Sequence, residues 1–168
     1  MTARLGIRTA LGGALAMLAL AGCSSGGGAA AGNGAAEATG RLPVTVAGAG
    51  GSHVFQADLA RTAAQQERGL MYRTGMKPDE AMLFSPYPPE GGAPRAANFW
   101  MKNTPTPLDI IFIRADGTVA RIAENATPFS EAPIPSGEPV AAILEVVGGR
   151  AADLGIAEGD KVSWPGKK

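Results

Sequence analysis

Six residues, Leu108 to Ile113, read L-D-I-I-F-I and constrain this chain more than any other stretch. A run so nearly apolar fits a strand covered on both faces, because a strand with one wet face alternates apolar and polar residues. Such a strand needs neighbours on either side and packed layers above and below. Its flanks agree. Pro105 and Pro107 lack amide donors and stiffen the chain just before it, and Asp116-Gly117 just after it is a hairpin turn. Upstream lies F-W-M-K-N-T, Phe99 to Thr104, with one of the chain's two Trp residues and a Lys-Asn-Thr polar trio. Phe99 to Ile113 therefore reads as strand, rigid turn and second strand, forming both the core of a small β-rich domain and the rim of its site.

The rest of the chain supplies partners for that strand. Leu42 to Ala47 and His53 to Leu59 read as strands of a hairpin across a Gly-rich turn. Thr62 to Leu70 carries the best helix signal, with Thr62 and Gln65 at capping-box spacing and Gly69 marking an end or a close packing contact. Ala81 to Phe84 is a short strand, and Pro86 to Pro94 a surface loop. Asn98 to Met101, Thr118 to Ala123, Pro139 to Val147 and Lys161 to Trp164 are further strands. Thr127 to Gly137 is expected to be a Pro-rich loop. Arg150 to Leu154 makes one or two helical turns stopped by Gly155. With 24 Gly, 13 Pro and only 5% aromatics, the composition suits many turns and short strands. The expected fold is mainly β or α+β: a small twisted sheet closing toward a barrel, with one or two short helices. A doubly wound α/β fold is not the expectation, because helices do not alternate with strands.

The first residues carry an address. Arg4 and Arg8 form a basic n-region, Leu11 to Ala21 is an apolar segment too short to span a bilayer, and the stretch ends Leu20-Ala21-Gly22-Cys23. This resembles a bacterial lipobox, which implies cleavage before Cys23 and acylation of its thiol. The expected organisation is a signal peptide over 1–22, a lipidated Cys23 with a flexible Gly/Ala/Ser tether over 23–40, and a β-rich domain over 41–168. Two or three acyl chains anchor firmly where one does not. Ser24 rather than Asp after the Cys implies, by the same resemblance, an outer-membrane lipoprotein with its domain facing the periplasm. Loss of Arg4 and Arg8 leaves 13 basic against 15 acidic side chains, so there is no electrostatic case for nucleic-acid binding. Cys23 is the only Cys, so disulfides, Cys nucleophiles and thiolate metal sites are excluded.

Four further segments fall in a recognisable order: Gln66 to Arg73 (Q-E-R-G-L-M-Y-R), Met82-Leu83-Phe84, Phe99 to Ile113, and Leu144 to Gly155 with Gly159-Asp160-Lys161-Val162. Together they are similar to the family catalogued as domain of unknown function 192, over roughly Val44 to Trp164. The chain departs at Ala81, where the family commonly has Gly, and in a longer Pro86 to Pro94 loop. The resemblance implies a small, barrel-like β-rich fold, often exported, and no activity or catalytic residue.

The candidate binding residues are Arg73, Trp100, Lys102, Asn103, Thr104 and Asp109. Lys102 and Asn103 suit an anion or a carbonyl. Alternatively Asn103 and Thr104 cap the turn while Lys102 pairs with Asp109. Of Arg68 and Arg73 at the helix end, one is expected to pair with Asp109 or Glu145 and the other to point at a ligand. Phe99 and Trp100 alternate in direction, so one is core and the other is free to stack on a sugar ring. His53, the only His, has no identifiable partner. Met71, Met76, Met82 and Met101 are soft ligands of the kind Cu(I) takes, but Met is also common core filler. No cofactor is expected. The favoured function is a non-catalytic binding or assembly module for an envelope ligand or partner. The alternative is a hydrolase of an envelope polymer using Asp109, Glu145 or Asp160 with Lys102 or Arg73, and a copper carrier ranks below both.

Overall fold

A computed structural model describes residues 40–167. The expected signal peptide, Cys23 and the tether up to residue 39 lie outside the described residues. Nine strands and two short helices follow one another: β1 (Leu42–Gly48), β2 (Gly51–Ala60), α1 (Ala63–Arg68), β3 (Glu80–Phe84), β4 (Arg95–Phe99), β5 (Leu108–Ile113), β6 (Val119–Ala126), β7 (Ile134–Val140), β8 (Ala142–Val147), α2 (Arg150–Leu154) and β9 (Lys161–Ser163). Seven strands form one sheet in the order β6-β5-β8-β3-β2-β1-β9, and β4 pairs with β7 in a second, two-stranded sheet. The architecture is mostly β, a curled half-barrel with two short helices. Its curl brings the edge strands together at one end. Thr118 bridges Lys161, Val119 N–H donates to Asp160 C=O at 2.8 Å, and Val162 N–H donates to Gly117 C=O at 2.8 Å.

Local sequence accounts for most of these elements. β1 and β2 form the expected hairpin, with Gly48 opposite Gly51. β2 and β3 run parallel, so the chain between them crosses over through α1. The Thr62 hydroxyl accepts from Gln65 N–H and the Gln65 side chain accepts from Thr62 N–H, which completes the capping box. The helix stops at Gly69, whose φ is +46° and whose Cβ, were there one, would lie 3.2 Å from the Phe84 ring. Both the conformation and the space call for glycine. Gly155 ends α2 in the left-handed conformation.

β5 lies between β6 and β8 with all six residues buried, as its composition requires. Its alternating side chains feed two cores. Ile111 and Ile113 join Val44, Phe55, Leu83 and Leu144 on one face, closed by Ala151 of α2. Ile110 and Phe112 join Phe84, Ile143, Leu70 and Met101 on the other. A large apolar side chain buried at such a site contributes about 1.5–3 kcal/mol, so this strand alone anchors both layers.

Three expectations are corrected. The strand expected over Asn98 to Met101 ends at Phe99 and belongs to the second sheet, so Phe99 to Ile113 joins two sheets and makes no hairpin. The segment Thr127 to Gly137 contains the start of β7. Pro135 and Pro139 lie opposite Asn98 and Ala96, in an edge strand, where a missing N–H is tolerated. The run Pro139 to Val147 is two strands divided at Ala141. There Ala141 N–H donates to Ile113 C=O and Ala141 C=O accepts from Tyr87 N–H, so the chain changes sheets.

Candidate functional site

Two segments singled out in the sequence meet on the second face of the large sheet. The turn after β4 is held by its own backbone, with Thr104 N–H donating to Met101 C=O, and by its neighbours. Tyr72 N–H donates to Asn103 C=O at 2.8 Å, and Phe129 N–H donates to Thr104 C=O at 3.1 Å. The Thr106 hydroxyl donates to Arg73 C=O at 3.0 Å. The Gly69 to Arg73 segment is thereby stitched to the Trp100 to Thr106 turn.

Between α1, this turn and the sheet lies a cavity of about 390 Å³. Gln66, Glu67 and Arg68 of α1 line one wall, Asn98 to Trp100, Lys102 and Thr104 the other, and Glu145 of β8 comes from the sheet. Phe99 turns inward, edge-on to Phe84 at 5.2 Å and to Phe112 at 5.9 Å. Trp100 turns outward and is 46% exposed, with Lys102 Nζ 5.0 Å from its ring centre. That settles which of the two aromatics is core.

Glu145 is 4% exposed. Its strand neighbours in register are Met82 and Ile110, and its Oε2 is buried with no hydrogen-bond partner among the described residues. Burial pushes its carboxyl up to about 8, so it is protonated at neutral pH. The second such atom in the cavity wall is Gln66 Oε1. The Gln66 amide is oriented by its nitrogen, which donates to Pro86 C=O at 2.8 Å and Ala60 C=O at 3.1 Å. The residues lining the cavity therefore include a neutral carboxyl and an amide oxygen, both desolvated and both unpaired among the described residues. Each such group costs about 1–3 kcal/mol unless something satisfies it.

Of the six expected binding residues, Trp100, Lys102 and Thr104 line the cavity. Thr104 is buried and its hydroxyl donates to Lys102 C=O at 3.1 Å. Asn103 serves the backbone: it has φ +53°, a conformation Asn tolerates, and its amide nitrogen lies 3.9 Å from Met71 Sδ. Arg73 pairs with Asp58 and Glu80, and Arg41 shares both carboxylates. The hydrogen bond from Arg41 holds the Glu80 carboxyl below its usual value. Neither Arg73 nor Arg68 takes up the expected pairing with Asp109 or Glu145.

Asp109 departs furthest from expectation. It is fully buried, and its carboxylate accepts from Asn125 N–H at 2.7 Å, Gly149 N–H at 2.9 Å and Ala151 N–H at 2.7 Å. It ties the start of α2 and the end of β6 to β5, and among the described residues it makes no ion pair with Lys102. Asp160 is likewise held in a turn, accepting from Ala157 N–H at 2.9 Å. His53 Nε2 lies 3.1 Å from Gly50 C=O, on the β1–β2 hairpin. Met101 is core, and Met76 and Met82 pack against the same cluster. Gln66 was not among the expected site residues, and Glu145 was expected only as an arginine partner or as an acid or base of the alternative hydrolase. The signal for Glu145 was present in A-I-L-E-V-V, a carboxylate inside a strand otherwise apolar on both faces.

A curled, mostly β domain with a cavity walled by its crossover helix and a Trp-bearing turn defines the class. The chain belongs to the DUF192 family, described as "Uncharacterized ACR", which matches residues 44–164. It is 51% identical to a protein of unknown function from Novosphingobium aromaticivorans DSM 12444, with a TM-score of 0.69 over 73% of this chain and 85% of that one. It is 44% identical to a protein provisionally described as a transcription regulator from Sinorhizobium meliloti 1021, with a TM-score of 0.68 over 74% of this chain and 93% of that one. No curated protein matches it. No activity is established for the family.

Proposed function

We propose that this chain is an outer-membrane lipoprotein anchored through acylated Cys23, and that its periplasm-facing domain is a non-catalytic module binding an envelope ligand in the cavity beside α1. One observation carries the binding reading: the unpaired Glu145 carboxyl, 96% removed from solvent, in the cavity wall. A protein retains such a group at a stability cost when something else satisfies it. Among the described residues, nothing beside it resembles a nucleophile with its base. The lone His is on the β1–β2 hairpin, and Asp109 and Asp160 are occupied by backbone amides. The anchoring reading rests on the Leu20 to Cys23 pattern.

A hydrolase remains the second reading, because a carboxyl protonated near neutrality suits a general acid and Glu67 lines the same cavity. Thermal unfolding of the full chain with soluble envelope components separates the two. Binding predicts a rise in melting temperature with the added compound recovered intact. Cleavage of the compound, abolished by Glu145→Gln, would replace the binding reading with the enzymatic one. Labelling with radioactive palmitate tests the anchor, and label persisting in Cys23→Ser would refute it.

A further inference from the structure

Three large side chains stand in solvent around the Met101 to Thr104 turn: Trp100 at 46% exposure, Phe129 at 63% and Tyr72 at 71%. Two of them occupy backbone conformations that aromatic residues rarely adopt, with φ +63° at Tyr72 and +60° at Phe129. A bulky residue at positive φ is strained, and packing does not explain these two, because their rings are out in water. Both backbones hang from the same turn, Tyr72 on Asn103 and Phe129 on Thr104. Strained backbone here holds two exposed aromatic residues on the turn whose Trp100, Lys102 and Thr104 line the cavity.

The cavity's buried, unpaired groups are a carboxyl and an amide oxygen, which together can accept and donate. Its charged rim residues are Arg68, Lys102 and Glu67, so a cationic ligand meets two cations against one anion. A polyhydroxylated ring answers each feature. Its hydroxyls both donate and accept, it carries no positive charge, and its apolar face suits an indole whose other face holds Lys102. We infer that the cavity takes one saccharide ring and that Trp100, Tyr72 and Phe129 form a collar for the glycan chain extending from it. This inference rests on the binding reading above and names its ligand class.

The full chain in detergent micelles, titrated with chitotetraose, with maltotetraose and with the single sugar N-acetylglucosamine, tests it by melting temperature and by calorimetry. At least one tetrasaccharide is expected to bind, and Trp100→Ala to weaken it tenfold or more. Tyr72→Asn and Phe129→Asn keep a residue that tolerates positive φ and remove the ring. Each should weaken the tetrasaccharide about threefold and leave the single sugar unchanged. Glu145→Gln, which still donates and accepts, should bind within twofold of the parent, while Glu145→Leu should not bind. Binding of neither tetrasaccharide, or binding indifferent to Trp100→Ala, overturns the inference. If Ala-Glu-Lys-Ala peptide raises the melting temperature and no saccharide does, the glycan inference fails and the binding reading stands. If no compound in a wider envelope panel binds, both fall. With Cys23→Ser removing the lipid, binding to phosphatidylethanolamine–phosphatidylglycerol vesicles that the aromatic variants lose, without any saccharide response, overturns it in favour of a membrane surface.

Discussion

Asp109 and Glu145 are two buried carboxyls on neighbouring strands, one residue out of register: Asp109 lies opposite Val146, and Glu145 opposite Ile110. They point to opposite faces of one sheet and live under opposite rules. Asp109 receives three backbone N–H groups, which would otherwise be orphans at the start of α2 and the end of β6. Glu145 receives none. The first carboxyl is explained by the fold it holds. The second is a liability to the fold, and its explanation lies in the cavity it lines. What separates the two carboxyls is satisfaction by partners, not burial, which they share.

The largest effect is expected at Asp109. Asp109→Ala strands three amides at once, and at about 1–3 kcal/mol for each unsatisfied group the loss should reach roughly 3–5 kcal/mol, read by urea denaturation. A loss typical of a surface substitution would show that the amides find other partners. At Glu145 the sign reverses. Its folded-state carboxyl titrates at about 8 against an ordinary value of 4.5, so between those values the folded chain binds the proton that the unfolded chain has released. Its contribution is full below about pH 4.5, falls as pH rises with a slope approaching about 1.4 kcal/mol per unit, and is lost above about pH 8. Glu145→Leu should flatten that slope and gain on the order of 2 kcal/mol at pH 8 by removing an unpaired polar group. An unchanged pH profile would show that the carboxyl is partnered after all.

The smaller effects sharpen the same contrast between residues that serve the fold and residues that burden it. Phe129→Asn should stabilise the domain by about 1 kcal/mol, the usual cost of left-handed backbone at a residue with a Cβ, measured by calorimetric melting. Destabilisation would mean the ring packs in solution. Thr62→Ala removes an exposed helix cap on α1 and should cost about 0.5–1 kcal/mol, well below the loss of the buried Asp109 cap.

What the sequence made legible was local. The apolar run of β5, the Thr62–Gln65 capping box, the Asp116-Gly117 turn and the Gly155 stop each depend on neighbours in the chain, and each stands in the structure. What it concealed was decided at a distance. Nothing near Ala81 says that β3 lies parallel to β2. Pro135 and Pro139 argue against a strand until β4 is seen beside them with β7 at an edge. Lys102 and Asp109 look like partners across a turn, yet the two prolines between them carry the chain from one sheet to another. Trp100, Lys102 and Thr104, singled out because their polarity and size were unusual in place, line the cavity. Gln66 passed for an ordinary helix former, and its unpaired oxygen is visible only once Pro86 and Ala60 have claimed its nitrogen.

The pairing of β1 with β9 has a kinetic consequence. Residues 45–47 of the large sheet find their outer partner only at residues 161–163, and the bridge from Thr118 to Lys161 needs the same late segment. Contacts this far apart in sequence slow folding, because the loop must close before the pairing rewards it. The hairpin and the α1 crossover can assemble from the first half of the domain, but the curled sheet cannot finish until residue 163 has emerged from whatever makes or carries the chain. Until then β1 has an open edge, the state in which β-rich chains are most exposed to mispairing.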